Sequence, residues 1–333
     1  MDERNARIAK AHESKPEERE VTDNQGPSSQ ISDPDEAISE GLTEVDAKPD
    51  VTDTRPTNQP SSFSYGRRST THHVSTRYSE EELEKNCRYN MNHAKRGIAL
   101  IFNHENFKDR LSKRSGAEED GRTLSYTMKH LGFDVREYKD KESSEIMEIL
   151  SQVAGENHTE HDCLLVAIMS HGEENGILFA SDYAYKVDEV WGRFKADKVP
   201  TLAGKPKIFL FQACRGKKLE KSVITFDSTD SSSSRGLILP SSADFLMVYS
   251  TVEGHYSWRN TTEGSWLIQD LCKELNKDAR SKDMLTILTN TLRRVAYTRF
   301  SSTPTTPDMN RRQQMPVFSS TLTRLLYFDE TTL

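Results

Sequence analysis

Short apolar runs alternate with amphipathic segments along the last three quarters of the chain. The apolar runs predict six strands, at Gly97–Asn103, Phe133–Tyr138, Cys163–Met169, Lys207–Phe211, Phe245–Tyr249 and Thr321–Phe328. Apolar residues that recur with the period of a helix predict helices at Leu124–Leu131, Ile146–Val153, Val187–Phe194, Trp266–Leu275 and Met284–Phe300. Such an alternation favours an α/β fold in which helices cover both faces of a largely parallel sheet.

The beginning of the chain has a different composition. Residues 1–62 contain no Phe, Tyr or Trp, and residues 1–60 carry fifteen Asp and Glu against seven Lys and Arg. A segment of this kind cannot bury enough apolar surface to offset the entropy lost on ordering. We therefore expect residues 1 to about 80 to be mostly disordered, and the folded part to begin near Arg88.

Charge and cysteine content exclude several classes of function. The whole chain carries a net charge of −7 and residues 1–60 carry −8, so the folded part is close to neutral and offers no large basic face to nucleic acid. No apolar run reaches the length of a membrane span, about 20 residues, and no signal peptide opens the chain. Four cysteines lie far apart without a CxxC pair, at Cys87, Cys163, Cys214 and Cys272. This is typical of a reducing compartment, so we expect a cytoplasmic protein without disulfides, metal or cofactor.

Two short motifs follow predicted strands at neighbouring places in the sheet. Ser-His-Gly at 170–172 ends one apolar run, and Gln-Ala-Cys-Arg-Gly at 212–216 follows the next. Ligands of open α/β sheets bind beyond the carboxyl ends of the strands, where both motifs would lie. A free thiol is only a few per cent ionised at neutral pH, so a cysteine nucleophile needs an adjacent base. The sequence therefore predicts that Cys214 is a nucleophile and that His171 transfers its protons.

The Cys214 pentapeptide, with a histidine 43 residues upstream, resembles the local signature of the caspases. The resemblance extends from about Arg88 to Asp329. It implies the three-layer caspase fold, with a mostly parallel six-stranded sheet and helices on both faces, and an Asp-specific cysteine endopeptidase. It also implies that a backbone carbonyl orients His171, and that the amides of Gly172 and Cys214 hold the oxyanion.

The same resemblance implies a pocket that selects aspartate. In caspases, residues corresponding to Arg114, Gln212 and Arg259 bind the carboxylate of the residue before the cut. The planar guanidinium suits this role because it meets a carboxylate through two parallel hydrogen bonds. A neutral residue would leave two buried guanidinium groups unpaired, which disfavours it. Ala117 departs from the family, which often has threonine there.

Further substrate contacts are implied by the resemblance at Tyr256, Ser257, Trp258, Arg259, Asn260 and Trp266. The backbones of Ser257 and Arg259 would pair with an extended peptide as an added strand. Tyr256 and Trp258 would wall the pocket for the residue before the aspartate. Asn260 and Trp266 would contact the fourth residue from the cut, where executioner caspases favour Asp.

Candidate processing sites carry the specificity that this pocket implies. Asp-Ser-Thr-Asp at 227–230 precedes a serine run, and polar flexible loops are where proteolysis concentrates. Cleavage after Asp230 would separate a large chain with His171 and Cys214 from a small chain with Arg259. In the acidic segment, Asp53 ends another DxxD sequence and Asp46 is a rival site, and the sequence leaves the choice between them open.

The resemblance thus predicts an executioner caspase zymogen that drives apoptosis. Its parts would be an acidic propeptide at 1–53, a large subunit at 54–230 and a small subunit at 231–333. Residues 257–262 and 101–104 resemble insect executioner caspases most. We expect protein substrates with exposed DxxD loops, an upstream initiator caspase as activator, inhibitor-of-apoptosis proteins as possible partners, and a homodimer through the strand at Thr321–Phe328.

Two alternatives stay open at this point. A metacaspase-like protease shares the His-Gly and Cys strand ends but cleaves after Arg or Lys, and Arg114 and Arg259 would repel such substrates. A catalytically silent caspase-like scaffold would bind partners without hydrolysing them. The presence of Cys214, His171 and both arginines argues against this second alternative.

Overall fold

The computed structural model describes residues 80–108, 111–220, 241–303 and 306–328. The strands in these ranges are β1 (Lys95–Asn103), β2 (Asp134–Lys139), β3 (His161–Met169), β4 (Gly172–Glu173), β5 (Ile177–Phe179), β6 (Ala184–Lys186), β7 (Lys207–Gln212), β8 (Phe245–Tyr249), β9 (Arg259–Asn260), β10 (Gly264–Ser265) and β11 (Val317–Ser320). The helices are α1 (Glu80–Lys85), α2 (Ala117–His130), α3 (Ser143–Ala154), α4 (Val187–Trp191), α5 (Trp266–Asp278) and α6 (Met284–Thr298). The predicted disordered segment and the sites at Asp46, Asp53 and Asp230 lie outside the described residues.

The central sheet has six strands in the order β11-β8-β7-β3-β1-β2. All neighbouring pairs are parallel except β11 with β8, which is antiparallel. The strand β3 is buried at every residue, as a central strand covered on both faces should be. This confirms the prediction of a mostly parallel six-stranded sheet.

Alternate residues of β1 pack into opposite layers because successive side chains of a strand point to opposite faces. Ile98, Leu100 and Phe102 belong to the core that α3 and α4 cover. Ala99 and Ile101 belong to the core that α2, α5 and α6 cover. Helices therefore lie on both faces of the sheet, and the molecule has the three layers expected of it.

The prediction of a last strand at Thr321–Phe328 is wrong. The last strand of the sheet is β11, Val317–Ser320, and the later segment forms only an isolated bridge at Leu325. Leu326 is fully buried in the core beneath α2, α5 and α6, and its carbonyl accepts a hydrogen bond from the backbone N–H of Met284. The alternating apolar residues of this segment are buried against helices, which gives the same two-residue pattern as a strand.

Two small sheets were not predicted from the sequence. The strands β4, β5 and β6 form an antiparallel sheet directly after His171, and β9 and β10 form a hairpin. Each has only two or three residues per strand, too few for an apolar alternation to stand out. None of the helices in the described part of the chain is long and apolar enough to cross a bilayer.

Candidate active site

The register of two parallel strands brings His171 and Cys214 to the same edge of the sheet. Met169, the last residue of β3, is the partner of Gln212, the last residue of β7. His171 and Cys214 each follow two residues beyond this pair. The sheet therefore presents the imidazole and the thiol from adjacent strands at matching positions, as the sequence predicted.

Gly172 allows the two strand ends to approach each other closely. A Cβ atom at this position would lie 2.5 Å from the carbonyl oxygen of Cys214 and 2.9 Å from the Cβ of Ala213. Any side chain would therefore push the histidine loop away from the cysteine loop. The glycine is therefore needed for the close approach of these two loops within the protein.

The segment after β7 is held by hydrogen bonds to the segment after β8. The hydroxyl of Ser250 donates to the carbonyl of Ala213 at 2.7 Å and accepts from its N–H at 3.2 Å. The N–H of Arg215 donates to the carbonyl of His255, and the N–H of Tyr256 to the carbonyl of Lys218. Cys214 is thereby held from both sides.

His171 is oriented by a backbone carbonyl. Its Nε2 atom lies 2.8 Å from the carbonyl oxygen of Ser112, and its ring lies 4.9 Å from the ring of Phe107, centroid to centroid. Burial lowers the pKa of His171 below its usual value, and the positive charges of Arg114 and Arg259 act in the same direction. The imidazole is therefore neutral at neutral pH and able to accept a proton.

Cys214 is half-buried beside the segment that was expected to bind substrate. Its Sγ atom accepts a hydrogen bond from the N–H of Ser257 at 3.5 Å and lies 3.8 Å from the carbonyl oxygen of that residue. Burial raises the pKa of the Cys214 thiol, and the hydrogen bond from Ser257 and the charges of two arginines oppose that rise. At neutral pH both the thiol of Cys214 and the imidazole of His171 are therefore uncharged.

Arg114 is buried at the carboxyl edge of the sheet. Only 1 % of it is exposed, and its Nη1 donates to the carbonyls of His104 at 2.6 Å and Met169 at 3.1 Å. Its Nε and Nη2 atoms have no hydrogen-bond partner within the described residues. Burial and the nearby charge of Arg259 lower the pKa of Arg114 to about 10, so it remains charged at neutral pH. Two buried donors of a charged group are left for a ligand.

Gln212 and Arg259 are the other two residues of the expected aspartate pocket. Gln212 is buried, and its Nε2 donates to the hydroxyl of Ser257 at 2.9 Å, while its Oε1 has no partner within the described residues. The Nε of Arg259 donates to the carbonyl of Ser115 at 2.7 Å. Burial lowers the pKa of Arg259 as it does that of Arg114. The structure thus brings Arg259, from the part of the chain after β8, to the loop that begins with Arg114.

The aromatic residues of the predicted substrate segment form a stack. The ring centroids of Tyr256 and Trp258 lie 5.3 Å apart, and those of Trp258 and Trp266 lie 5.9 Å apart. The two tryptophans are almost completely buried, whereas Tyr256 is 38 % exposed. The side chain of Asn260 accepts the N–H groups of Thr262 and Glu263, so it also closes the β9–β10 turn.

Some residues that build the site were given no role by the sequence reasoning. Ser112 acts through its backbone carbonyl, which any residue could supply, and Ser250 through a hydroxyl that resembles any other. Phe107 reaches His171 from a loop without periodicity. The sequence offers a clearer indication for Asp120 than for these three residues. It is an acidic residue in the first turn of α2, six positions after Arg114.

Comparison with known proteins identifies the family of the chain. A family model for the caspase domain matches residues 96–327. The chain is 46% identical to caspase drICE of Drosophila melanogaster over 249 residues, which is 74% of this chain and 73% of that protein. It is 46% identical to caspase-1 of Spodoptera frugiperda over 242 residues, 72% of this chain and 81% of that one. The crystal structure of the Spodoptera caspase-1 matches with a TM-score of 0.68 at 45% identity, covering 73% of this chain and 95% of that chain. The chain therefore belongs to the caspase family, as an Asp-specific cysteine endopeptidase of proteins that resembles the insect executioner caspases of apoptosis.

Proposed function

We propose that this protein is an executioner caspase zymogen in which Cys214 is the nucleophile and His171 the proton carrier. The observation that carries the proposal is the pairing of Met169 with Gln212, two residues before each of these groups on parallel strands. The tautomer of His171 supports it, because the Ser112 carbonyl can only accept a hydrogen bond. Nε2 then carries the hydrogen, and Nδ1 is left to receive a proton.

The chemistry begins when the Cys214 thiol transfers its proton to His171 and its sulfur attacks the carbonyl carbon of the scissile peptide bond. The amides of Gly172 and Cys214 bind the oxyanion that forms. Their backbones approach closely, since a Cβ on Gly172 would overlap the Cys214 carbonyl. The protonated His171 then donates to the leaving amine, and water hydrolyses the resulting thioester.

Specificity for aspartate before the cut is proposed to come from Arg114, Arg259 and Gln212. The Nε and Nη2 atoms of Arg114 are buried and donate no hydrogen bond to the described residues, so a neutral side chain would leave both donors unsatisfied. The Ser257 and Arg259 backbones would pair with the peptide. Tyr256 and Trp258 would line the next pocket.

The fourth residue from the cut is proposed to be aspartate, so that the preferred substrate loops contain DxxD. Asn260 and Trp266 would contact this residue. The side chain of Asn260 is exposed on the β9–β10 turn, next to the stacked pair of Trp258 and Trp266.

Activation is proposed to follow cleavage after Asp230 and after Asp53 or Asp46. These cuts would divide the chain into a propeptide at 1–53, a large subunit at 54–230 and a small subunit at 231–333. An upstream initiator caspase would make the first cut, and inhibitor-of-apoptosis proteins would bind the processed enzyme. All of this would take place in the cytoplasm.

A homodimer is proposed to form through the open edge of β11, Val317–Ser320, instead of the segment at Thr321–Phe328 that the sequence suggested. This strand pairs with β8 on one side only and has no partner on its other side among the described residues. An unpaired edge is a template for pairing with another chain. Sedimentation of the processed enzyme is expected to give two large and two small chains, and a single pair of chains would contradict the proposal.

The proposed chemistry is tested by expressing the wild type beside Cys214→Ser and measuring the intact masses of the fragments. Cuts after Asp230 and in the acidic segment are expected in the wild type alone. Matched fluorogenic peptides ending in Asp, Lys or Arg then test specificity, with Arg259→Gln as the variant that should lose Asp peptides. Wild-type protein that neither hydrolyses an Asp peptide nor is labelled at Cys214 by an Asp-based electrophile would instead be a scaffold.

A further inference from the structure

A buried carboxylate lies behind the two arginines of the aspartate pocket. Asp120 is fully buried in the first turn of α2, and its Oδ2 atom lies 3.8 Å from Nη2 of Arg114. Its Oδ1 accepts the N–H of Ser265 at 2.6 Å, and its Oδ2 accepts the hydroxyl of Ser265 at 2.6 Å. Each oxygen thus accepts a hydrogen bond from Ser265, within the protein.

Burial raises the pKa of Asp120, and the hydrogen bonds from Ser265 and the charges of Arg114 and Arg259 oppose that rise. The ionised carboxylate acts on both arginines. It favours the charged form of Arg114 and of Arg259, whereas Arg259 disfavours that of Arg114. Asp140 also favours the charged form of Arg114, but its carboxylate is occupied by the N–H groups of Glu105 and Asn106. Two guanidinium groups and one carboxylate leave the pocket with one uncompensated positive charge. A single substrate carboxylate matches that charge.

Asp120 also connects the two segments that carry the arginines. Arg114 lies in the loop before α2, and Ser265 ends the β9–β10 hairpin that begins with Arg259. The space for the carboxylate is provided by Gly264, whose φ is +92° and where a Cβ atom would lie 2.5 Å from Oδ1 of Asp120. The hairpin is therefore shaped around this carboxylate.

We propose that Asp120 is a positioning residue for substrate aspartate: it offsets the repulsion between Arg114 and Arg259 and holds both guanidinium groups in place before substrate binds. This rests on the proposed function of the two arginines as the aspartate pocket. Arg259 is the more exposed of the pair, held through one hydrogen bond from Nε to Ser115. Without the carboxylate it would move towards solvent, and substrate binding would have to bring it back.

The test compares Asp120→Asn with Ser265→Ala, both processed to the two-chain form. The asparagine keeps the size of the side chain and loses the charge, while the alanine loses one hydrogen bond and keeps the charge. For an Asp peptide, Asp120→Asn is expected to raise KM about tenfold with kcat per titrated active site changed less than about twofold, because binding is affected and the chemical step is not. Ser265→Ala is expected to stay within about twofold of wild-type KM.

Several results would overturn the proposal. One is that Asp120→Asn and Ser265→Ala both leave KM unchanged and lower only the number of titratable active sites, by the same amount. Asp120 would then only hold the β9–β10 hairpin in place. A lower KM in Asp120→Asn would mean that the carboxylate weakens the pocket. Arg114→Gln is assayed in parallel, because an unimpaired Arg114→Gln enzyme would refute the pocket itself. Loss of Asp cleavage in Arg114→Gln beside a wild-type KM in Asp120→Asn would refute only the role of Asp120.

Discussion

The Nε2 atom of His171 donates to the carbonyl oxygen of Ser112 across 2.8 Å. A carbonyl can only accept, so this contact fixes the tautomer of the neutral imidazole and leaves its Nδ1 as the proton acceptor. Burial lowers the pKa of the same ring, and burial raises that of the Cys214 thiol. Both shifts favour the uncharged pair, in which the base is ready to receive the proton of the thiol.

The activity is expected to fall on the acid side with an apparent pKa below 6.5, the usual value of histidine. Protonated His171 cannot take the proton of Cys214, so activity is lost as the pH falls through the lowered pKa of His171. Phe107→Ala removes a ring 4.9 Å from the imidazole and lets water approach it. The acid limb of kcat/KM should then move to higher pH, and a profile over pH 5 to 8 measures this.

Tyr126→Ala is the matched control for this variant, since Tyr126 is an aromatic residue 67 % exposed on α2. Its pH profile should coincide with that of the wild type. An acid limb that stays in place in Phe107→Ala, or moves to lower pH, would show that the ring does not shield His171.

Gly172→Ala is expected to abolish most activity. The added methyl would lie 2.5 Å from the Cys214 carbonyl oxygen, so the two loops must separate. Overpacking of this kind costs about 1–3 kcal/mol of stability, and here it also displaces the nucleophile. Gly192→Ala serves as the control because a Cβ there meets nothing within 4 Å. We expect full kcat/KM for Gly192→Ala, and full activity for Gly172→Ala would contradict the tight approach.

Gln212→Glu is expected to lower kcat/KM for Asp peptides strongly, about 100-fold. The new carboxylate would be buried, would lose the donor to Ser257 and would compete with substrate for the guanidinium groups. The same change at the exposed Gln152 on α3 is the control and should leave hydrolysis unaffected. The measurement is kcat/KM on paired Asp and Asn peptides, and an unchanged preference for Asp would argue against a position of Gln212 in the pocket.

The buried Lys207 is expected to contribute a rise in stability on the alkaline side. Its Nζ donates to the carbonyls of Leu202 at 3.2 Å and Lys205 at 2.8 Å, and burial lowers its pKa to about 8. The pKa of an unfolded lysine is about 10.4, so between pH 8 and that value the unfolded state binds more protons. Burial raises the pKa of Cys163 and of Cys272, so these thiols lower the free energy of unfolding as pH rises above about 8.5. The contribution of Lys207 to the free energy of unfolding has the opposite sign and should rise with pH in this window by about 1–3 kcal/mol.

This rise is measured by urea unfolding of the inactive Cys214→Ser protein, which cannot cleave itself. Between pH 8 and 10 the free energy of unfolding of Lys207→Met in the same background should fall more steeply with pH than that of Cys214→Ser alone, because the positive contribution of Lys207 is gone. Parallel slopes in the two proteins would mean that Lys207 does not titrate between these pH values when folded.

Short apolar runs were enough to predict β1, β2, β3, β7 and β8, and with them the edge of the sheet that carries His171 and Cys214. A strand covered on both faces is apolar throughout, and that is visible in the local sequence. The same local pattern was wrong at Leu326, whose burial comes from the helices. The carbonyl that orients His171 belongs to Ser112, 59 positions away, and the carboxylate behind Arg114 is tied to Ser265, 145 positions from Asp120. Contacts of this kind depend on how distant segments pack. Every residue has a backbone carbonyl, so the residue type does not show which carbonyl will orient the histidine. Only the folded structure decides it.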